Sequence, residues 1–237
     1  MTQPLVVITG ASSGIGLGAA RAFAAAGYPL LLISRHIEPI AGFADKPVLY
    51  GQVDVANYNA LQHAISEAEL RFGGTDCLIN SAGLVDARPF EQVDPASYNC
   101  EIDTNLRGVL NGIKVALAGM VDRQKGTVIN ISSVSDRKTS PVAIGYTAIK
   151  YAVRALTESL REAEGKNGVR VINIAPGYVK TNIHRNMGIT FEQYCEGLGN
   201  PDFMTADELA EIILYCYRLP AHLCIRDLVV TPTRTTF

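Results

Sequence analysis

The alternation of short apolar segments with longer amphipathic ones is the feature that most constrains the fold. The apolar segments have the length and β-branched content of buried strands, and they lie at Leu5–Ile8, Pro29–Ser34, Pro47–Val53, Cys77–Asn80, Thr127–Ile131, Val169–Ile174 and Leu228–Thr231. Helical patterns lie between most of them, at residues 15–26, 57–72, 95–123, 144–164 and 205–218. The alternation predicts an α/β fold of the doubly wound Rossmann type, with a mostly parallel seven-stranded sheet and helices on both faces.

The composition indicates one globular domain spanning residues 1–237. The chain is 48% hydrophobic and shows no Pro- or Ser-rich linker, which argues against disorder and against a domain boundary. A net charge of −2 without a run of like charges makes nucleic acid and membrane surfaces poor partners. The five cysteines are widely spaced and form no metal-ligand pattern with the histidines, so we expect free thiols, no metal site, and a soluble cytoplasmic protein.

A glycine-rich loop follows the first predicted strand and opens the first predicted helix. Residues 9–16 read TGASSGIG, so the glycines are Gly10, Gly14 and Gly16. Glycine lets the backbone turn tightly and approach a pyrophosphate, which the free N–H groups of a helix N-terminus stabilise. A tight structural turn is the alternative, but the strand-loop-helix context favours a dinucleotide site that also includes Ser12, Ser13 and Ile15.

The ends of the next strands indicate which dinucleotide binds. An acid after the second strand would bind a ribose 2′-hydroxyl, but Ser34 and Arg35 stand there and suit a 2′-phosphate. NADP(H) is therefore preferred and NAD(H) stays possible, since Arg35 has an alternative as an ordinary solvated side chain. The residues expected near the adenosine follow the third and fourth strands: Asp54, Val55, Asn80, Ala82 and Gly83.

Tyr146 and Lys150 are four residues apart in a predicted helix and therefore share a face. A neighbouring ammonium group stabilises a phenolate, so we expect Lys150 to lower the pKa of Tyr146 and make it a general acid or base. Ser133 follows the fifth strand, where its hydroxyl would bond a substrate carbonyl.

Together these motifs resemble the short-chain dehydrogenase/reductase family over essentially the whole chain. The glycine loop, the segment 80–83 (NSAG) and the tetrad Asn105, Ser133, Tyr146 and Lys150 match its motifs. The resemblance implies that Lys150 also binds the nicotinamide ribose and that Asn105 holds a proton-conducting water chain. A Pro-Gly-x-x-x-Thr motif implies a nicotinamide-binding segment at Pro176, Gly177, Val179 and Thr181. It also implies a homo-oligomer, a tetramer or dimer, built from helices 95–123 and 144–164.

The sequence says less about the substrate than about the fold or the cofactor. Residues 182–204 show little periodicity and are the expected lid, with Ile183, Met187, Phe191, Tyr194 and Phe203 either lining a pocket or packing on the sheet. Arg137, Lys138 and Arg185 either receive a substrate carboxylate or are solvated surface charges. Residues 219–234 resemble a subgroup of NADP-dependent 3-hydroxy acid or serine dehydrogenases, which favours a small 3-hydroxy acid.

Three alternatives remain from the sequence alone. Broad carbonyl reduction would use the same catalytic residues on other substrates. A dinucleotide-binding redox sensor would use the fold without turnover, although this chain keeps all four tetrad positions. A sugar-nucleotide epimerase of the extended family branch usually needs a longer chain after the sixth strand.

Overall fold

The computed structural model describes residues 3–184 and 188–235, so Arg185 and Met187 lie outside the described residues. The strands are β1 Leu5–Thr9, β2 Leu30–Ser34, β3 Val48–Gln52, β4 Thr75–Asn80, β5 Gly126–Ile131, β6 Val169–Pro176, β7 Val179–Lys180, β8 Met204–Thr205 and β9 Asp227–Val230. The α-helices are α1 Gly14–Ala25, α2 Tyr58–Phe72, α3 Pro95–Ile102, α4 Gly108–Asp122, α5 Ile144–Glu164, α6 Phe191–Gly197 and α7 Ala206–Arg218.

Seven strands form one sheet in the order β3-β2-β1-β4-β5-β6-β9, and every neighbouring pair is parallel. The predicted fold class is confirmed, with a sheet that is wholly rather than mostly parallel. The strand order reverses between β1 and β4, which is where a doubly wound sheet opens a ligand crevice at its carboxyl edge.

Helices cover both faces of the sheet because successive strand residues point to opposite faces. Val6 and Ile8 of β1 pack into a core that includes Phe23 of α1 and Leu209 of α7. Leu5 and Val7 of the same strand contribute to a second core with side chains from α2, α4 and α5. This two-sided burial explains the continuous apolar run at the start of the chain.

Two regions depart from the sequence prediction. The helix predicted over 95–123 contains a π-helical turn at Asp103–Arg107, which separates α3 from α4. Such a widened turn has no periodicity signal and often marks a functional site. The expected lid contains regular structure, because Thr190 and Gln193 form a reciprocal capping box that starts α6.

No helix within residues 3–184 and 188–235 is long and apolar enough to cross a bilayer. Across the same residues, no cluster of three or more His, Cys, Asp or Glu side chains is arranged to hold a metal ion.

Candidate active site

A cleft of about 870 Å³ opens at the carboxyl edge of the sheet. Most of the predicted site residues line it: Gly10, Ser12, Ser13, Gly14, Ile15, Ser34, Arg35, Asp54, Val55, Ala82, Gly83, Ser133, Tyr146, Lys150, Pro176, Gly177, Val179 and Thr181. The strand ends therefore bring residues from the whole length of the chain to one cavity.

The glycine loop packs against the loop that follows β4. Gly10 has φ +67°, and a Cβ there would lie 2.6 Å from the Ala82 Cα, so no larger residue fits. The Thr9 hydroxyl oxygen accepts hydrogen bonds from the Ser81 and Ala82 N–H groups at 3.1 and 3.2 Å. Thr9, whose individual role the sequence did not reveal, thus ties the first and fourth strand ends together.

Gly16 and Asn80 support the cleft without being part of its lining. A Cβ on Gly16 would lie 2.3 Å from the Gly10 carbonyl oxygen, so this glycine lets α1 pack closely on the loop. Asn80 is buried, and its amide donates to Asn130 Oδ1 at 2.8 Å, joining β4 to β5. Both residues lie behind the cleft lining in this structure, and the cofactor contact predicted for them stays a prediction.

The N-terminus of α1 suits an anion. Ser13 is the N-cap, yet its side chain makes no capping bond, and the first turn contains no acidic residue. The first-turn N–H groups have no intrahelical partners and carry the positive end of the helix dipole. Because Ser13, Gly14 and Ile15 line the cleft, this donor set fits a phosphate group.

A cationic side chain, Arg35, lies directly after the end of β2. Arg35 is exposed and lines the cleft, and it forms no ion pair with any residue in the described part of the chain. The Ser34 and Ser12 hydroxyl oxygens lie 2.9 Å apart beside it. No carboxylate occupies the end of β2, so this corner favours a phosphate over a bare ribose hydroxyl.

Ser133, Tyr146 and Lys150 lie together on the opposite wall of the cleft. The Lys150 Nζ atom donates to the Ile131 carbonyl at 2.9 Å, at the end of β5, and lies 5.4 Å from the Tyr146 ring centroid. The Ser133 hydroxyl oxygen accepts from the Ser135 N–H at 3.1 Å, which leaves its own proton to donate. The ammonium group is thus held by β5 beneath the phenol ring.

The expected lowering of the Tyr146 pKa by Lys150 is wrong for this structure. Burial raises the pKa of Tyr146 well above its usual value, and interaction with Ser133 offsets only part of the rise. Burial also lowers the pKa of Lys150 to about 8, against an opposing effect of Asp136. The physical reason is that desolvation is the largest effect on the pKa of each group, while the Lys150 ammonium group donates to the Ile131 carbonyl.

Asn105 lies in the π-helical turn and is fully buried. Its side chain pairs with the backbone of Leu84, donating to the carbonyl at 2.8 Å and accepting from the N–H at 2.9 Å. The adjacent cleft wall is formed by Thr104. In this structure Asn105 therefore holds the loop that follows Gly83.

The three basic residues considered as partners of a substrate carboxylate are placed differently in the structure. Lys138 lines the cleft, whereas Arg137 is held by Asp136 and Asp227 and is not part of the lining. The interpretation of Arg137 as a carboxylate receptor is therefore wrong, because two carboxylates already occupy its guanidinium. Arg185 is outside the described residues.

The cleft also contains Tyr178, which the sequence did not single out. Of the lid residues expected either to line a pocket or to pack, Ile183 and Tyr194 line the cleft, and Tyr194 also belongs to an aromatic cluster with His184, Phe191 and Phe203. The aromatic members of the lid therefore divide between packing with one another and lining the cleft. A signal for this placement existed in the residues 190–193, whose Thr-x-x-Gln pattern predicts the start of α6.

Comparison with known proteins places these features in a family context. The family profile described as short chain dehydrogenase matches residues 4–190. Sulfoacetaldehyde reductase 2 from Chromohalobacter salexigens is 34% identical, with 97% of this chain and 94% of the relative covered. An uncharacterized oxidoreductase of Staphylococcus aureus is 30% identical, with 98% of both chains covered.

Solved structures share the whole architecture. The closed form of serine dehydrogenase complexed with NADP+ superposes with a TM-score of 0.91 at 27% identity, covering 98% of this chain and 96% of that one. A 3-oxoacyl-[acyl-carrier protein] reductase from Brucella melitensis with bound NAD gives a TM-score of 0.83 at 25% identity, covering 97% and 90%. Both forms of the nicotinamide dinucleotide therefore occur among similar structures.

Proposed function

The chain belongs to the short-chain dehydrogenase family, and on this premise we propose that it is an NADP(H)-dependent oxidoreductase acting on a small 3-hydroxy acid or the matching oxo acid. The observation that carries the proposal is one cleft with two complementary walls. One wall holds the glycine loop and Arg35, and the other holds Ser133, Tyr146 and Lys150.

The residues present fit the cofactor. Gly10 has no side chain to keep a ligand away from the loop backbone. The N-terminus of α1 would supply hydrogen-bond donors for the pyrophosphate. Arg35 and Ser34 would hold the 2′-phosphate, and the segment that includes Gly177 and Thr181 would hold the nicotinamide side. When bound, NADP(H) supplies or accepts the hydride.

Tyr146 moves the proton that accompanies carbonyl reduction. Its raised pKa keeps the phenol protonated at neutral pH, so it donates a proton to the carbonyl oxygen as a general acid. Ser133 donates a hydrogen bond to the same oxygen and so stabilises the charge that develops there. The ammonium group of Lys150 stabilises the phenolate that remains.

In the oxidation direction Tyr146 is the general base. It removes the hydroxyl proton of the alcohol, which requires the phenolate form. Because burial raises the pKa of Tyr146, we expect alcohol oxidation to increase with pH, until deprotonation of Lys150, whose pKa is about 8, removes the supporting charge. Oxidation is thus limited by two groups with opposite effects.

The substrate class rests on the cleft wall beside the catalytic residues. Lys138 lines that wall and offers a cation to a substrate acid group. Both sulfoacetaldehyde and serine, named for two of the similar proteins reported above, are small molecules that carry an acid group next to a short chain. A small anionic alcohol or aldehyde therefore fits the site.

Exposed apolar side chains support the proposal of a dimer or tetramer. Leu110 of α4 and Ile144 and Tyr151 of α5 are 44%, 48% and 40% exposed. Covering such a face is a common reason for association. Light scattering of the purified protein would give a mass of two or four chains; a monomer at micromolar concentration would contradict this part of the proposal.

The test is NADP+ reduction by serine, 3-hydroxypropionate, 3-hydroxybutyrate and 2-propanol, compared between wild type, Tyr146→Phe and Tyr151→Phe. Tyr151 is the matched control, because it lies on the same helix outside the cleft lining and the Phe replacement keeps the apolar ring of the proposed subunit face. We expect Tyr146→Phe to lose about 100-fold or more in kcat with cofactor binding intact, and Tyr151→Phe to keep wild-type kcat. Near-normal turnover by Tyr146→Phe would refute the catalytic assignment.

A further inference from the structure

The turn that follows Ser133 is built to hold the serine hydroxyl. Residues Val134–Asp136 form a single 3₁₀ turn. The Asp136 N–H donates to the Ser133 carbonyl at 2.9 Å, and the Ser135 N–H donates to the Ser133 hydroxyl oxygen at 3.1 Å. The direction of the hydroxyl therefore depends on where this turn is anchored.

Asp136 anchors the turn inside the protein. Its carboxylate is fully buried and accepts from Arg137 Nε at 2.6 Å and from Asn173 Nδ2 at 2.9 Å. A buried carboxylate is stable only when it is paired and hydrogen-bonded, so these contacts are obligatory for the turn.

Arg137 extends the anchor to the C-terminal strand. Its two terminal nitrogens donate to the two carboxylate oxygens of Asp227, at 2.9 and 2.8 Å, in a bidentate pair. Asn173 of β6 also donates to Asp227, at 2.8 Å, and thus links the two acids. Bidentate guanidinium–carboxylate pairs fix direction as well as distance.

The same strand supports a second wall of the cleft. The Gly177 N–H donates to the Val230 carbonyl at 2.8 Å, just after β6. A shift of β9 would therefore be transmitted both to the turn that carries Ser133 and to the segment Pro176–Gly177.

We propose that Asp227 of β9, acting through Arg137 and Asp136, is a positioning residue that holds the catalytic Ser133 turn in its productive geometry. We call the set Asp136, Arg137, Asn173 and Asp227 the strand clamp. The proposal rests on the proposed oxidoreductase function, since it assigns the clamp a role in that reaction. It explains why Asp136 and Arg137, two consecutive charged residues beside the cleft, are not part of its lining.

Other charges around the clamp define what a variant would disturb. Arg154 of α5 lies 3.9 Å from Asp227, and Lys150 and Tyr146 of α5 experience the charge of Asp136. Removing Asp136 would thus alter the catalytic pair directly. Variants at Arg137 and Asp227 leave the Asp136 side chain in place, but Arg137→Met also removes the cation paired with Asp136, so Asp227→Asn is the cleaner test of positioning.

The experiment compares Arg137→Met, Asp227→Asn and the double variant with wild type and with Arg161→Met. Arg161 is the matched control, because its guanidinium bonds the Arg226 carbonyl beside β9 at 3.2 Å and does not touch the turn. We expect each clamp variant to lose roughly 10- to 100-fold in kcat, since small misplacements carry costs of that size. The Kd for NADPH should change much less, because the backbone hydrogen bond between Gly177 and Val230 remains in each variant. The kcat of the double variant should be no lower than that of the less active single variant, because each single variant already breaks the Arg137–Asp227 pair.

Hydrogen exchange followed by mass spectrometry provides a readout that needs no turnover. Faster exchange in the peptide containing residues 132–138 is expected for the clamp variants and not for Arg161→Met. Asp227→Asn is the milder change, at a side chain 29% exposed, and keeps the test available if Arg137→Met does not fold. Unchanged exchange, or loosened exchange with wild-type kcat, would overturn the clamp. A wild-type protein without turnover on any substrate would instead refute the proposed function.

Discussion

Replacing Arg35 with alanine should remove most of the preference for NADPH over NADH. Arg35 is exposed, lines the cleft beside Ser34, and forms no ion pair within residues 3–184 and 188–235. Its guanidinium is therefore available to a 2′-phosphate, which NADH lacks. The rest of the nucleotide is shared by the two cofactors, so only their affinity ratio should change.

The exposure of Arg35 sets the magnitude. Two unit charges about 4 Å apart in water interact by about 1 kcal/mol. A phosphate monoester carries about −1.5 to −2 charges at neutral pH, which gives roughly 2 kcal/mol. Hydrogen bonds to charged groups contribute about 1.5–3 kcal/mol, in the same range. A loss of about 2 kcal/mol corresponds to an approximately 30-fold higher Kd for NADPH.

Fluorescence titration of wild type, Arg35→Ala and Arg21→Ala with both cofactors would measure this. Arg21 is the matched control, an exposed cation on α1 that pairs with Asp207 at 3.7 Å and is not part of the cleft lining. Added salt should reduce the preference of the wild type for NADPH over NADH, because salt screens an exposed contact between Arg35 and the 2′-phosphate. A contact between Arg35 and the 2′-phosphate is refuted if Arg35→Ala keeps the wild-type ratio of the two Kd values, or if it weakens the binding of NADH and NADPH equally.

Three further predictions concern other parts of the cleft. The pKa of Lys150 is about 8 in the folded protein and about 10.5 for a solvated lysine, so the unfolded chain binds more protons between these values. In urea unfolding, the free energy of unfolding of the wild type should rise by about 3 kcal/mol between about pH 8 and 10.5, relative to that of Lys150→Met. The same pH dependence in both proteins would contradict this. Gly10→Ala should lower the free energy of unfolding more than Gly27→Ala does. Both replacements carry the cost of a left-handed backbone, about 1–2 kcal/mol, but only the Cβ at position 10 would meet another atom within 4 Å. Equal unfolding midpoints would show that the contact with Ala82 is not tight. Lys138→Met should raise KM for 3-hydroxy acids by about 10-fold or more and leave that for 2-propanol unchanged, whereas equal changes would argue against a carboxylate contact.

Local patterns predicted the elements that position the site. The helix expected over 144–164 is α5 with the same bounds, and the apolar segment 5–8 is the start of β1. These elements were predictable because burial on one helical face, or on both faces of a strand, leaves a periodic record in neighbouring residues. The π-helical turn around Asn105 left no such record, since its geometry departs from the helical period.

Side-chain partners were much less predictable. Arg137 is adjacent in sequence to cleft residues, yet its carboxylate partner Asp227 is 90 positions away. Tyr146 and Lys150 were predicted to share a face, but the depth of their burial, which determines both pKa shifts, depends on packing by β5 and the lid. Distance along the chain and desolvation are properties that short patterns do not encode.

The sequence by itself determined the alternating architecture, the glycine loop at the end of β1 and the shared helical face of Tyr146 and Lys150, because each depends on neighbouring residues and on the geometry of a single element. Only the tertiary structure decided that Arg137 is withdrawn from the cleft, that Gly16 and Asn80 support the site from behind, and that burial raises the pKa of Tyr146. These outcomes arise where distant strands converge and exclude water, so they depend on which groups meet and how deeply they are buried.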